Sequence, residues 1–372
     1  MITKKENDTN YIEKILNKKF SSRFKKDLEF KQVTTFGIGG KIRYFVDVLS
    51  IKESVFLVRF CRTNNIPFFV LGGGSNVLAS DKGFNGLVIC TLKMNGIKFR
   101  KSNLFNSDKK VSPLKTNLKE KKQESLLMSV IDIRQENSLT KENFLIKQKN
   151  SLIEKEKINF KQDHLVEVQS GVRLSTLVVE SAKQELGGLE WVVGIPGTVG
   201  GATLMNAGAF GGQMSDKIVS VTYFDGKKIK KSRKEDLVFE YRSSSFKKIK
   251  DIIIFLVCFR LEYRNREEIQ DNIKKITEKR LATQKVGYPS AGSVFKRLPH
   301  ITAAEMIDQA GLKGTQIGGA MVSKVHSGYI VNVGGATCRD VRKLIDFISK
   351  SVYNKFIEKL ELEIILVGEE DE

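Results

Sequence analysis

GGLEWVVGIPGTVGGATLMNAGAFGG occupies residues 187–212, and nine of these 26 residues are glycine. Glu190 is the only ionisable side chain among them. Glycine reaches φ > 0 readily and lets backbone N–H groups come close to a ligand. Pro196 fixes one φ and stiffens the loop. A neutral loop of this kind can wrap a diphosphate through its amides alone. Its plainer reading is a cluster of tight turns, and the length and glycine density favour the ligand loop. A second block, VLGGGSNVL at 70–78, follows an apolar run at 66–70 that reads as a strand. Strand followed by Gly-Gly-Gly-Ser-Asn suits another phosphate-facing turn. Positions 72, 74 and 77 are Gly, Gly and Val, so the dinucleotide fingerprint GxGxxG is absent, as is the Walker A pattern. Neither a Rossmann unit nor a P-loop is indicated.

At 372 residues the chain exceeds one ordinary domain, and two or three are expected. The formal net charge of +20 raises the possibility of nucleic acid. The lysines are scattered and no nucleic-acid motif is present, so no nucleic-acid partner is expected. A basic surface equally suits ligands that are polyanions. Cys61, Cys90, Cys258 and Cys338 form no CxxC pair. Neither a zinc site nor a disulfide framework follows, no metal is expected, and reduced thiols of a cytoplasmic protein fit best. The opening MITKKENDTNYIEK lacks the apolar centre of a signal peptide, and no run of about 20 apolar residues predicts membrane insertion.

Taken in order, residues 1–30 read as a charged, helical lead-in. A strand is expected at Arg43 to Val48. A helix follows from Ile51 to Asn64, with Ser50 as N-cap and positions 51, 55, 58 and 61 on one face. Strands open at Pro67 and at Leu87. Residues 97–163 carry 16 Lys and Arg against 9 Asp and Glu, with little periodicity. The span 101–160 therefore reads as a basic, largely disordered surface insertion, or as a docking arm for an acidic partner. Beyond it come a strand at His164 to Gln169 and a helix ending at Gln184. Asp225-Gly226 marks a hairpin, and Asp251 to Tyr263 a strongly apolar strand. Helices are expected at Arg266 to Gln284, Ala303 to Ala310 and Thr337 to Ser351, and a last strand at Ile364 to Val367. Alternating strands and helices beyond residue 235 suggest a separate α+β domain at 236–372.

The block GLEWVVGIPGTVGGATLMNAGAFG resembles the flavin-binding signature of the UDP-N-acetylenolpyruvoylglucosamine reductase (MurB) family. VTTFGIGGKIRYFV (33–46), VLGGGSNVL (70–78), YRSSSFK (241–247), PSAGSVFK (289–296), VSKVHSGYIVN (322–332) and LELEIILVG (360–368) resemble that family's other blocks in the same order. The resemblance spans the chain from about residue 30 to its end. It implies an α+β fold, with an FAD-binding domain of the p-cresol methylhydroxylase (PCMH) type at 31–235 followed by a smaller substrate-binding domain. It also implies FAD and NADPH as cofactors and an enolpyruvyl UDP-sugar as substrate.

Read alone, Arg242 is a surface arginine, Ser293 a turn residue and Glu363 an edge charge. The resemblance makes them the catalytic trio. Arg242 and Glu363 would stabilise charge developing on the substrate carboxylate side, and Ser293 would protonate the α-carbon. A serine hydroxyl is a weak acid, and Lys296 and Arg242 are candidate cations to assist it. Thr34, Thr35, Gly72, Gly73, Gly74, Ser75, Asn76, Gly194, Thr198, Gly200, Gly201 and Asn206 would face the flavin. Lys296, Lys324, His326 and Asn332 would lie near the sugar nucleotide. The family pattern has Asn-Pro after GSxFK where this chain has Arg297-Leu298, and Gln-Pro where it has Gln284-Lys285. Rival readings are another PCMH-type flavin oxidoreductase and a non-catalytic nucleotide-binding protein on the same scaffold. Removing residues 104–158 is expected to leave FAD binding intact, since long loops close at modest entropic cost. A deletion variant that fails to take up FAD while the full chain binds it contradicts this.

Overall fold

The computed structural model describes residues 2–101, 163–284 and 286–368. The expected insertion, apart from Lys101, and Lys285 lie outside the described residues. Residues 1–100 and 164–372 form one compact unit, and everything below concerns it.

The lead-in is helix α1 (Ile2–Phe20), but it continues into a strand, β1 (Phe24–Glu29). β1 pairs antiparallel with β2 (Lys41–Asp47), with Phe24 opposite Val46. β2 and β3 (Phe68–Leu71) then flank β5 (Phe84–Cys90) in parallel, giving the order β1-β2-β5-β3. Between β3 and β5 runs the short β4 (Val77–Ala79). Helix α2 (Ile51–Thr63) begins where expected, because Ser50 Oγ accepts the Glu53 N–H at 3.3 Å. Leu16 and Phe20 of α1 bury against Tyr44, Leu57 and Leu87. The lead-in is thus part of the first sheet's core.

The second sheet contains β6 (Ile97–Lys101), β7 (Asp163–Gln169), β8 (Ile218–Phe224), β9 (Ile229–Arg233) and β10 (Ile253–Tyr263), in the order β9-β8-β10-β7-β6. The β8–β9 hairpin turns where Asp225-Gly226 predicts. Asp225 Oδ1 accepts the N–H groups of Lys227 and Lys228 at 2.9 and 2.8 Å. These bonds and the ion pair with Lys230 hold the Asp225 carboxyl well below the usual carboxylate range. β10 belongs to this same sheet. Ile253, Phe255, Val257, Phe259 and Leu261 are all buried, and β10 lies between β8 and β7 in the middle of this sheet. Its apolar residues have nowhere else to go, so the second sheet extends well past residue 235. Helices α3 (Leu174–Lys183) and α4 (Val199–Leu204) follow β7 in the chain, and α5 (Arg266–Gln284) packs on α3 and on the Glu190–Val192 turn.

Beyond α5, strands β11 (Ser290–Ser293), β12 (Gln316–Ile317), β13 (Ala320–Val322) and β14 (Tyr329–Asn332) form an antiparallel sheet ordered β11-β14-β13-β12. Helices α6 (Ala303–Gln309) and α7 (Cys338–Phe356) cover it. Val341, Leu344, Ile345 and Ile348 of α7 are buried on the expected face. The helix runs past the expected Ser351 to Phe356 and ends at Ile357, in the left-handed region. The chain then returns to its first half, where β15 (Ile365–Val367) pairs in parallel with β4.

Two polar ties join the ends of the chain. Asp81 accepts the N–H groups of Cys338 and Arg339 at 2.8 and 3.1 Å, a carboxylate at the N-terminus of α7. Asn332 Nδ2 reaches the carbonyls of Phe36 and Gly37 at 3.3 and 3.4 Å, while its Oδ1 accepts from Gly334 and Ala336 at 3.0 and 3.1 Å. Asn332→Ala is expected to lower stability by about 1–3 kcal/mol, because it strands backbone groups on both sides of this tie. Thermal unfolding of the FAD-bound protein checks it, and an unchanged midpoint contradicts it.

Candidate active site

The two glycine blocks touch each other. A Cβ on Gly72 would stand 2.5 Å from Thr198 Oγ1, and one on Gly73 would stand 3.0 Å from Gly197 Cα. Gly74 has φ +64°, and its Cβ would lie 2.3 Å from the Val33 carbonyl oxygen. Side chains cannot enter here, so backbone lines the gap. Ser75 Oγ donates to the Pro196 carbonyl at 2.9 Å and fastens one block to the other. Glu190 turns inward, where Oε2 accepts the Gly188 N–H at 2.8 Å and Oε1 lies 3.6 Å from Arg264 Nη1. The glycine surface offered to a ligand is therefore uncharged.

A cleft of about 340 Å³ runs from these loops to the far side of the site, within the usual size of small-molecule sites. Arg242, Ser293 and Glu363 line its far end together. Arg242 stands at the tip of a hairpin between Phe239–Glu240 and Ser243–Ser244, with φ +53°. An arginine in the left-handed region costs about 1–2 kcal/mol, and such strain clusters at functional sites. The hairpin is anchored by Ser244 Oγ, which donates to the Leu204 carbonyl at 2.6 Å. Phe246 supports it from below, fully buried and edge-on to Tyr223 at 5.0 Å. Arg242 Nε then meets Glu363 Oε1 at 2.7 Å. Glu363 is fixed through its backbone, with its N–H on the Val294 carbonyl at 2.8 Å and its own carbonyl accepting from Asn76 Nδ2 at 3.0 Å. Burial pushes the Glu363 carboxyl up, against the pull of Arg242 first and then of Lys247 and Lys296. Ser293 ends β11, directly across the strand pair from Tyr329.

Other expected ligand residues divide. Gly72 to Asn76, Thr198 and Gly201 line the cleft, while Gly200 lines an adjoining cavity beside Ser170. Gly194 is instead covered by the Arg280 side chain, 2.6 Å from where its Cβ would be. Thr34 Oγ1 donates to the Phe30 carbonyl and Thr35 Oγ1 to the Ser290 carbonyl, at 2.9 and 2.7 Å. Asn206 is buried and spends its amide on Gln213, Glu240 and Ser215. These three side chains brace the loops around the cleft. Among the residues expected at the sugar nucleotide, Lys296 pairs with Glu361 at 2.9 Å and Lys324 is exposed away from the cleft lining. His326 Nδ1 accepts the Gly328 N–H at 3.2 Å, and burial pushes its pKa down. Asn332 is the tie described above.

Among the lining residues not singled out in the sequence are Arg280 and Tyr329. Arg280 Nη1 donates to Gln284 Oε1 at 2.6 Å, and its guanidinium stacks over Phe210 at 5.1 Å. Its Nε and Nη2 are buried and have no hydrogen-bond partner among the described residues. Burial pushes its pKa down. In the sequence Arg280 is one cation among many in a charged helix, so no signal marks it. Thr198 Oγ1 and Ser170 Oγ are likewise buried without partners. A pair of hydroxyls, a charged fork and a side-chain-free backbone trough all await acceptors and donors that FAD carries in its diphosphate and ring.

The comparisons agree with this geometry. Residues 42–105 and 151–227 match the family described as "FAD binding domain". Residues 284–367 match "UDP-N-acetylenolpyruvoylglucosamine reductase, C-terminal domain". The chain is 35% identical over 354 residues to the UDP-N-acetylenolpyruvoylglucosamine reductase of Caldicellulosiruptor saccharolyticus, covering 94% of each chain. It is 33% identical over 361 residues to that of Clostridium tetani, covering 97% of each. Its fold is similar to the crystal structure of UDP-N-acetylenolpyruvylglucosamine reductase (MurB) from Thermus caldophilus, with TM-score 0.62, 28% identity and 91% and 97% of the two chains covered. With two glycine-rich loops at one cleft and both halves of the sequence in agreement, the chain belongs to the UDP-N-acetylenolpyruvoylglucosamine reductase (MurB) family.

Proposed function

We propose that the protein uses NADPH, through FAD, to reduce the enolpyruvyl group of UDP-N-acetylglucosamine enolpyruvate to UDP-N-acetylmuramate. This product belongs to peptidoglycan precursor synthesis, and hence to cell-wall biogenesis, cell shape and division in the cytoplasm. The observation that carries the reading is the Arg242–Glu363 ion pair standing with Ser293 in a cleft walled by neutral glycine backbone. The FAD-binding part extends to the end of α5, and the substrate part begins near residue 284, where the family's C-terminal match begins. No helix among the described residues is long and apolar enough to cross a membrane.

FAD, when bound, carries hydride from NADPH to the enolpyruvyl β-carbon. Arg242 and Glu363 stabilise the negative charge that then develops on the carboxylate side of the α-carbon. The ion pair orients the Arg242 guanidinium and spares it a search for geometry at the moment of reaction. Ser293 gives its hydroxyl proton to the α-carbon. Thr198 Oγ1 and the amides around Gly72 to Asn76 hold the cofactor, and Arg280 takes an anionic or acceptor group of a bound ligand.

Ser293→Ala separates the two half-reactions. Bleaching of the flavin by NADPH should proceed at a near-normal rate, and reoxidation by the enolpyruvyl substrate should slow by ~10²–10⁴-fold. Ser293→Cys should recover part of the loss. Stopped-flow absorbance resolves both steps. Slowed bleaching with normal reoxidation would remove Ser293 from the role of proton donor.

Arg280→Met tests the unpartnered fork. A charge-assisted hydrogen bond contributes ~1.5–3 kcal/mol, so ligand affinity should fall by roughly 10- to 100-fold. The ligand-free protein should unfold no earlier than the parent, because the lost charge had two donors unsatisfied. FAD titration and thermal unfolding without FAD check both arms. Unchanged affinities for FAD and for the UDP-sugar contradict the role.

A further inference from the structure

The block YRSSSFK at 241–247 supplies Arg242 to the cleft, and it ends in Lys247. Arg242 is the second residue of a two-residue connection, with Phe239 opposite Ser244 and Glu240 opposite Ser243. Such connections take glycine or asparagine where φ is positive, and here an arginine stands at φ +53°. Its guanidinium is held on several sides. Nε meets Glu363 Oε1 at 2.7 Å, and the guanidinium carbon lies 5.0 Å from the centre of the Tyr241 ring. Nη1 reaches the larger glycine loop, where a Cβ on Gly208 would lie 3.3 Å from it. A side chain set between a carboxylate, a ring and a glycine must leave its backbone in one direction.

The main chain fixes that direction. The Arg242 carbonyl accepts from Lys247 Nζ at 2.9 Å. Lys247 belongs to the 3₁₀ turn Ser245–Lys248 and directly follows Phe246, which is fully buried. The Ser245 N–H on the Val238 carbonyl, at 2.8 Å, ties this turn to the hairpin. The ammonium therefore reaches back five residues from an anchored base. A charged donor makes the stronger kind of hydrogen bond, and this one grips the peptide that follows the strained residue.

We propose that Lys247 is a positioning residue: its ammonium holds the Arg242 carbonyl, keeps Arg242 in the left-handed region, and so aims the guanidinium at Glu363 and at the charge that develops on the substrate. This rests on the functional reading above. Lys247 itself does not line the cleft. Its charge also lies within the field of Glu363 and Lys296. A charge acting on Glu363 directly would keep its effect after Arg242 is removed, whereas a hold on Arg242 would lose it.

Lys247→Met keeps the apolar stem and removes the donor. Flavin bleaching by NADPH is expected at the parent rate, which also reports that the variant is folded and loaded with FAD. The thermal unfolding midpoint should be unchanged, because an exposed charged contact contributes little stability. Reoxidation by the enolpyruvyl substrate is expected to slow by roughly 10-fold, the lower end of what one charge-assisted hydrogen bond contributes. The loss should fall on the limiting rate and leave the half-saturating substrate concentration as it is. Lys247→Arg should recover most of the rate. In an Arg242→Met background, adding Lys247→Met should slow reoxidation no further. Anaerobic stopped-flow absorbance of the four proteins reads the cycle. The role is overturned if Lys247→Met reoxidises at the parent rate, or if only the half-saturating concentration changes. It is equally overturned if both half-reactions slow together, which marks a structural role. A loss of the same size without Arg242 also overturns it, since Lys247 then acts on Glu363 or on the substrate. If the parent's bleached flavin is not reoxidised by the enolpyruvyl substrate at all, the functional reading falls, and this role with it.

Discussion

The close approach of two backbones governs this molecule. Gly72 and Gly73 lie against Gly197 and Thr198 so tightly that a single methyl group on either would collide. Everything that makes a site follows from that contact. The cleft wall is polypeptide amide, uncharged, because the loop's only carboxylate, Glu190, is turned inward to Gly188 and Arg264. Ser75 and Ser244 fasten the loops to their surroundings through backbone carbonyls. Strand β15 brings Glu363 back beside Asn76, so the last segment of the chain completes a site begun by residue 72.

Charge in the cleft is sparse and specific. Arg242 and Glu363 neutralise one another in a half-buried ion pair, which orients the arginine at a φ that disfavours it. Truncating either partner of such a pair leaves the other charge buried, a larger loss than the pair's own net contribution. Arg280 has no such partner among the described residues, and its Nε and Nη2 are buried without a hydrogen-bond partner there. Ser293 and Tyr329 line the same cleft as these two cations. The cleft thus combines two arginines, one paired and one not, with a serine and a tyrosine hydroxyl, beside a trough of glycine backbone.

Local features were the readable ones. Ser50 and Thr337 cap helices by bonds within three residues, Asp225 turns its hairpin by bonds within three more, and the α7 apolar face repeats at helical spacing. The family blocks pointed to Arg242, Ser293 and Glu363, which the fold gathers from three distant segments. What escaped was non-local. β1 gave no sign that it would edge a sheet, and nothing local placed β10 between β8 and β7, because sheet order is set by pairing across the chain. The roles of Asn206 and Asn332 depend on carbonyls that fold against them, 34 residues away for one and more than 290 for the other. Arg280 is one cation in a charged helix until Phe210 and Gly194 close over it.

Consumption of NADPH by the purified, FAD-loaded protein, with and without UDP-N-acetylglucosamine enolpyruvate, tests the central claim most directly. The account predicts slow consumption alone and rapid consumption with the enolpyruvyl sugar, one NADPH for each UDP-N-acetylmuramate formed. Consumption that is indifferent to the sugar, or a sugar recovered unreduced, would contradict it.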